Sequence, residues 1–152
     1  VPTFNSLAEF FDALPGAIDR GLRKAADGIG LAIEQRAMEK LGTYQPGWPQ
    51  LESSTQAERI SLGFAPNDPL LRSGLLKDTI QGVVEPMNCG YRVVVGSDAP
   101  QARIQELGGV NSGRPGAKDL PPRPYLAPSV VEAEDAIQQS VALSIAREIE
   151  GL

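Results

Sequence analysis

Apolar residues recur three or four positions apart through Leu7, Phe11, Leu14, Ile18, Leu22, Ala25, Ile29 and Ala32 or Ile33, towards Leu41. A 3.6-residue period held over that length specifies an amphipathic helix, and a helix this long sets the axis on which the rest of the chain must build its core. Ser6-Leu7-Ala8-Glu9 opens it as a capping box, in which a hydroxyl and a carboxylate satisfy free backbone donors. Pro15-Gly16 falls inside the pattern. Proline lacks the helical N–H and crowds the preceding turn, which predicts a short helix, a kink or break, and then a longer helix ending at Gly42.

Residues 43–69 carry Pro46, Gly47, Pro49, Gly63, Pro66 and Pro69 among polar residues and read as a long connection, with a short helix around Ser54–Ile60. Connections of this length are usually functional or ordered by a partner. This one holds Trp48, the single tryptophan of a chain with 5% aromatics. Either the loop folds back so that Trp48 completes the core, or Trp48 anchors a partner. The run Leu70–Leu76 is more apolar and is expected against the long helix. Thr79–Glu85 and Tyr91–Ser97 read as strands joined by a turn at Pro86–Gly90, with Tyr91, Val93 and Val95 on an apolar face. Pro100–Leu107 suits a short helix with Ile104 and Leu107 inward and Gly108-Gly109 as its stop. Residues 108–119 form a glycine-rich loop, and "LPPRPYLAPS" at 120–129 suits an edge strand, because proline cannot donate to a ladder. A second capping box, Ser129-Val130-Val131-Glu132, opens a last helix towards Glu150 with Ile137, Val141, Leu143 or Ile145, and Ile149 as its stripe. The expected architecture is one α+β domain over 1–152: helical at 6–42, a long loop at 43–69, a sheet-containing core at 70–128 and a C-terminal helix at 129–150.

Composition narrows function mainly by exclusion. The chain has no histidine, which removes Ser-His-Asp and Cys-His machinery and any imidazole metal site. Its one cysteine, Cys89, excludes thiolate-rich zinc modules and an internal disulfide, and reads as a spectator thiol in a turn. A net charge of −5 makes free DNA or an anionic membrane a poor surface partner. No apolar run approaches the roughly 20 residues of a membrane span. The opening "VPTFNSLAEFF" lacks a basic segment followed by an apolar one, so a signal peptide is not expected. Ser73 and Lys77 stand four apart but read as a Ser near a helix start and a solvated Lys. Glu52, Glu58, Asp68, Asp78, Glu85, Asp98 and Glu106 are scattered rather than paired for acid–base work. The glycine-rich loop lacks the Gly-Lys-Ser/Thr ending of a phosphate loop. Arg103, Arg114, Lys118 and Arg123 are the nearest thing to a basic patch. In "PPRPY", prolines hold Arg123 extended, and its guanidinium suits a carboxylate either within the subunit or on a neighbour. No catalytic residue, cofactor or metal is expected.

Four stretches in order carry a resemblance. They are Trp48, Leu51, Ser54 and Thr55; "PLLRSGLLKDTI" at 69–80; "VVVGSDAPQARIQELGG" at 93–109; and "PPRPYLAPS" at 121–129. Together they resemble the tail-completion, head–tail joining or virion morphogenesis (neck) proteins of tailed bacteriophages. The chain departs from that pattern in having "DAPQARIQ" where an aromatic often follows V-G-S, and in the length of its insert at 110–118. The resemblance implies a structural, non-enzymatic α+β protein that forms a homo-oligomeric ring, sixfold or alternatively twelvefold. It implies neck, connector and tail proteins as neighbours, genomic DNA passing through the lumen without sequence-specific binding, no membrane, and a place in the virion after synthesis in the host bacterial cytoplasm. An acidic lumen would let DNA pass without sticking. The expected contact residues are Trp48 with Leu51, Arg114 in the glycine-rich loop, and Arg123, Pro124 and Tyr125. The alternatives are a tail-terminator ring, a small carboxylate-dependent hydrolase and a monomeric binding module.

Overall fold

Helix α1 runs from Leu7 to Lys40 without interruption in the computed structural model, which describes residues 3–110, 116 and 118–152. The expected break at Pro15 does not occur. Pro15 and Gly16 lie on the exposed side, where water can reach the Phe11 carbonyl that loses its helical partner and where the ring displaces no packed neighbour. Ser6 caps the start, its Oγ accepting the Glu9 N–H at 3.2 Å, while the Glu9 carboxylate reaches back to the Asn5 N–H at 2.8 Å. The helix stops as Leu41 turns extended, and Gly42, at φ +91°, donates its N–H to the Pro69 carbonyl at 2.8 Å. After α1 come α2 (Ser53–Ser61), α3 (Leu75–Asp78), β1 (Ile80–Pro86), β2 (Tyr91–Ser97), α4 (Ala102–Leu107), α5 (Leu126–Glu132) and α6 (Glu134–Glu150). The architecture is α+β: a long N-terminal helix and C-terminal helices with a two-stranded antiparallel sheet.

The buried residues of α1 are mostly small, Ala17, Gly21, Ala25, Ala26, Gly30 and Ala37, joined towards its end by Ile33 and Lys40. The larger members of the expected stripe, Leu14, Ile18, Leu22 and Ile29, flank them half-buried, and Leu7 and Phe11 are exposed. The reason is proximity. Helix α6 returns antiparallel along α1, bringing Glu148 to Arg20 (2.8 Å) and Lys24, while Glu132 at the end of α5 reaches Lys40 at 2.7 Å. At Gly21 an added Cβ would sit 2.7 Å from Ile145 Cα, inside any real contact and against backbone that cannot rotate away. Gly28, on the same helix, has nothing within 4 Å. Gly21→Ala is therefore expected to lower stability by about 1–3 kcal/mol through overpacking, despite the better helix propensity of alanine. Gly28→Ala should raise stability by up to about 1 kcal/mol. Urea unfolding of the two variants reads this opposition of sign.

The Lys24 and Arg20 partners hold the Glu148 carboxyl below its ordinary value, each hydrogen bond adding to the attraction of charge. A depressed folded pKa contributes stability that is present above the unfolded value and is lost as pH falls through the folded one. The α1–α6 contact should thus weaken below about pH 4.5, and Glu148→Gln should flatten that part of the profile of melting temperature against pH.

The hairpin crosses the middle of α1. Its register pairs Ile80 with Ser97, Gly82 with Val95 and Pro86 with Tyr91. Alternation places Ile80, Gly82, Tyr91, Val93 and Val95 inward and Val83, Arg92 and Val94 outward. The sheet lies against Gly30, where an added Cβ would meet Val93 Cγ1 at an ordinary contact distance of 3.5 Å, and the Glu34 carboxylate accepts the Gly82 N–H. The turn closes with Met87 N–H on the Gly90 carbonyl at 2.9 Å and Gly90 at φ +94°.

Further expectations are corrected or settled. Leu107 faces solvent, and α4 buries Ala102 instead, because Glu106 rather than an apolar residue points at the neighbouring segment. The run 120–129 is not a strand: Leu120 makes a single bridge to Gly109, and α5 already begins at Leu126. Pro128 fits there because the N–H groups of a first helical turn have no helical partner anyway. Ser129 consequently lies inside a helix, its Oγ donating to the Tyr125 carbonyl at 2.7 Å, and Glu132 pairs with Lys40 instead of capping. In the last helix Ile145, not Leu143, meets α1. No helix among the described residues is long and apolar enough to cross a membrane.

Candidate assembly surfaces

Trp48 is internal. It is 8% exposed and joins one apolar cluster with Ala37, Leu41, Leu76, Ile80, Ala99, Ala102 and Tyr125. Its loop folds back because the Trp48 N–H donates to the Gln45 carbonyl at 3.0 Å, and Tyr44 Oη accepts the Leu51 N–H at 3.0 Å. All four stretches that carry the resemblance contribute to this cluster: Trp48 from the first, Leu76 and Ile80 from the second, Ala99 and Ala102 from the third, Tyr125 from the fourth. Those motifs mark a shared folding core at the C-terminal end of α1.

Arg123 is buried at 4% exposure and makes no ion pair among the described residues, contrary to the carboxylate expected within the subunit; the alternative, a carboxylate on a neighbour, would come from a second chain. It donates from Nη2 to the Pro49 carbonyl at 2.9 Å, and its main-chain N–H goes to the Gln105 carbonyl at 2.8 Å. It therefore pins the tryptophan loop to α4. Tyr125 is fully buried; burial first, and then the Glu106 charge, pushes its hydroxyl up to about 12, and that hydroxyl has no hydrogen-bond partner among the described residues. Pro124 is half-buried between them, and Leu51 is half-buried at the edge of a cleft. Arg114 lies outside the described residues.

A residue unremarkable in sequence organises this corner. The Glu106 carboxylate accepts the N–H groups of Tyr125 (2.7 Å), Leu126 (3.0 Å) and Ala127 (2.9 Å). It caps α5 from another helix, the role that sequence spacing assigned to Ser129. Nothing local marks it, since the cap and the capped turn are about 20 residues apart. Arg59 is similar. Buried at 7% exposure on α2, it donates from Nη1 to the Asp68 carbonyl at 2.6 Å and to those of Ala65 and Leu71 at 3.4 Å. That clamp holds the bend in which Leu70 takes φ +61°, a left-handed conformation costly for a branched side chain. Ser73 and Lys77 do not face each other: Ser73 precedes α3 and its Oγ accepts the Leu75 N–H at 3.5 Å.

Two surfaces remain open. The first is an apolar groove of about 380 Å³ between α1, β2, α5 and α6, with Leu22, Ile29, Val93, Val95, Val130 and Val141 among its walls and no charged side chain in its lining. Its one hydroxyl, on Tyr91, is already hydrogen-bonded to Asp19 at 3.0 Å. Near the start of α1, Leu7 and Phe11 stay 71% and 57% exposed, with Phe10 packed edge-on between Phe4 and Phe11. The second is a cleft of about 940 Å³ bounded by α2, the 70–76 segment and the 118–123 segment. Of its three carboxylates, Glu52 and Glu58 are ion-paired with Lys118 (2.7 Å) and Arg72 (3.5 Å), and the third is Asp119. The Lys118 hydrogen bond and charge lower the Glu52 pKa, the opposite of what a general acid needs. Among the described residues no group of three or more His, Cys, Asp or Glu side chains is placed to hold a metal ion. Comparisons with protein-family models, curated proteins and solved structures return no match.

Proposed function

We propose that this chain is a self-assembling structural subunit of the neck of a tailed bacteriophage, forming a ring around the DNA channel that completes the tail and joins it to the head. The observation that carries the self-assembly is the open groove whose lining has no charged side chain. Contiguous apolar surface of that kind marks a docking site on a folded protein, and the exposed apolar turn at Leu7 and Phe11 adds to it. A groove on one copy filled by a different surface of the next is a heterologous contact, which closes into a ring when the rotation permits. The assignment to a phage neck rests on the ordered resemblance at 48–128, supported by the meeting of its four stretches in one core. The ion-paired state of Glu52 and Glu58 favours a structural role over a carboxylate hydrolase.

Mass photometry of the purified protein, with immunogold imaging of virions, tests the proposal. Rings of one stoichiometry and label at the head–tail junction are expected. A protein that stays monomeric at every concentration and is missing from particles overturns it, and label at the tail end of capsid-free tails would assign it to the terminator instead.

A further inference from the structure

The first turns of α1 carry an apolar face that no described residue of the same chain buries. Leu7, Phe10, Phe11 and Leu14 stand at i, i+3, i+4 and i+7, on one side of the helix. No residue from Leu7 to Gly16 is buried, and Ala17 is the first in α1 that is. Three of the four phenylalanines of the chain gather here and stay outside the main core. Their rings meet edge-on, Phe10 lying 5.5 Å from Phe4 and 5.8 Å from Phe11. The stripe is thus ordered before it meets anything, which lowers the entropy cost of docking. Amphipathic helices lie in apolar grooves through these four positions.

We propose that the Leu7–Leu14 stripe of one copy docks in the apolar groove of a second copy, with Phe10 and Phe11 as its anchors. The inference rests on the self-assembly proposed above and names the two surfaces that meet. Length fits: at 1.5 Å per residue the stripe spans about 10 Å, and the groove floor from Leu22 to Ile33 about 16 Å. Chemistry fits as well, since neither the stripe nor the groove lining holds a charged side chain. The occupant must come from another chain. Helix α1 is unbroken from Leu7 to Lys40, so its first turns cannot fold back onto a floor built from the same helix. Phe10 and Phe11 alone bring on the order of 300 Å² towards the roughly 800 Å² that each partner gives to a standard interface, and Leu7 and Leu14 add to it. Each copy makes the contact twice, once with its stripe and once with its groove. Those are different surfaces, so the contact propagates head to tail.

Complementation of two variants, read by sedimentation velocity, tests it. Phe11→Asp spoils the stripe and Val130→Glu the groove, at positions whose exposure of 57% and 47% spares the fold. Each should raise the concentration for half-assembly by about tenfold or more at unchanged melting temperature. Mixed together, they should form a one-to-one pair that neither forms alone, because the first keeps its groove and the second its stripe. Assembly of Phe11→Asp at the wild-type concentration, or a mixture that yields no pair, overturns the inference while leaving self-assembly standing. A wild type that never assembles overturns both. Wild-type assembly that stops at a dimer, together with the loss in Phe11→Asp, supports the docking as two reciprocal contacts and overturns the ring.

Discussion

Trp48→Ala is expected to remove about 3–5 kcal/mol of stability, the range for deleting a large buried aromatic. That is a large fraction of the roughly 5–15 kcal/mol by which a domain is stable. Trp48 belongs to a cluster fed by α1, α3, β1, α4 and the start of α5, so the cavity would open in the core that these five elements share. The loop that carries Trp48 also presents the Pro49 carbonyl to Arg123. Loosening it would strand a guanidinium that is 4% exposed, and the loss should fall at the upper end of the range. Urea unfolding followed by circular dichroism reads the effect, since the variant has no tryptophan to report it. A variant that keeps the wild-type midpoint but no longer assembles would place Trp48 at an interface and contradict the packing described.

Glu106→Ala should cost about 3 kcal/mol, because it leaves three backbone donors at the start of α5 without an acceptor and removes charge-assisted hydrogen bonds. Glu106→Gln should cost less, since an amide oxygen still accepts, though without the charge and with only one oxygen. The damage should also be local. Amide exchange at Tyr125, Leu126 and Ala127 is expected to accelerate more than exchange in the hairpin, because the first turn of α5 would open ahead of global unfolding. Equal acceleration throughout the chain would show that Glu106 acts on overall stability alone.

Elements whose signal is periodic and local were legible in the sequence. The long helix, the hairpin with its inward Tyr91, Val93 and Val95, and the short helix in the loop all lie where spacing and turn residues put them. What escaped depends on partners distant in sequence. Pro15 is a breaker by its chemistry but sits where water replaces the lost bond. "LPPRPYLAPS" has the backbone chemistry of an edge, yet Glu106 draws its second half into a helix. The Ala17, Gly21, Ala25 line was readable at a spacing of four, and the eye passes over it because large residues beside it carry the stronger period. Among the expected contact residues, Trp48, Arg123 and Tyr125 are buried within the chain, for their chemical character is equally that of a core hub. The groove and the cleft were invisible, since each is assembled from segments far apart along the chain.

The antiparallel return of α6 along α1 sets an order in time. Arg20 and its partner Glu148 are separated by 128 residues. At about 5–20 residues per second the ribosome delivers the second of them roughly 6–25 s after the first. During that interval the tryptophan cluster and the hairpin can already consolidate, whereas Leu22, Ala26 and Ile29 have no α6 to lie beside. A nascent-chain chaperone that favours apolar helix faces therefore has a defined window on this protein, opened by the emergence of α1 and closed by that of α6.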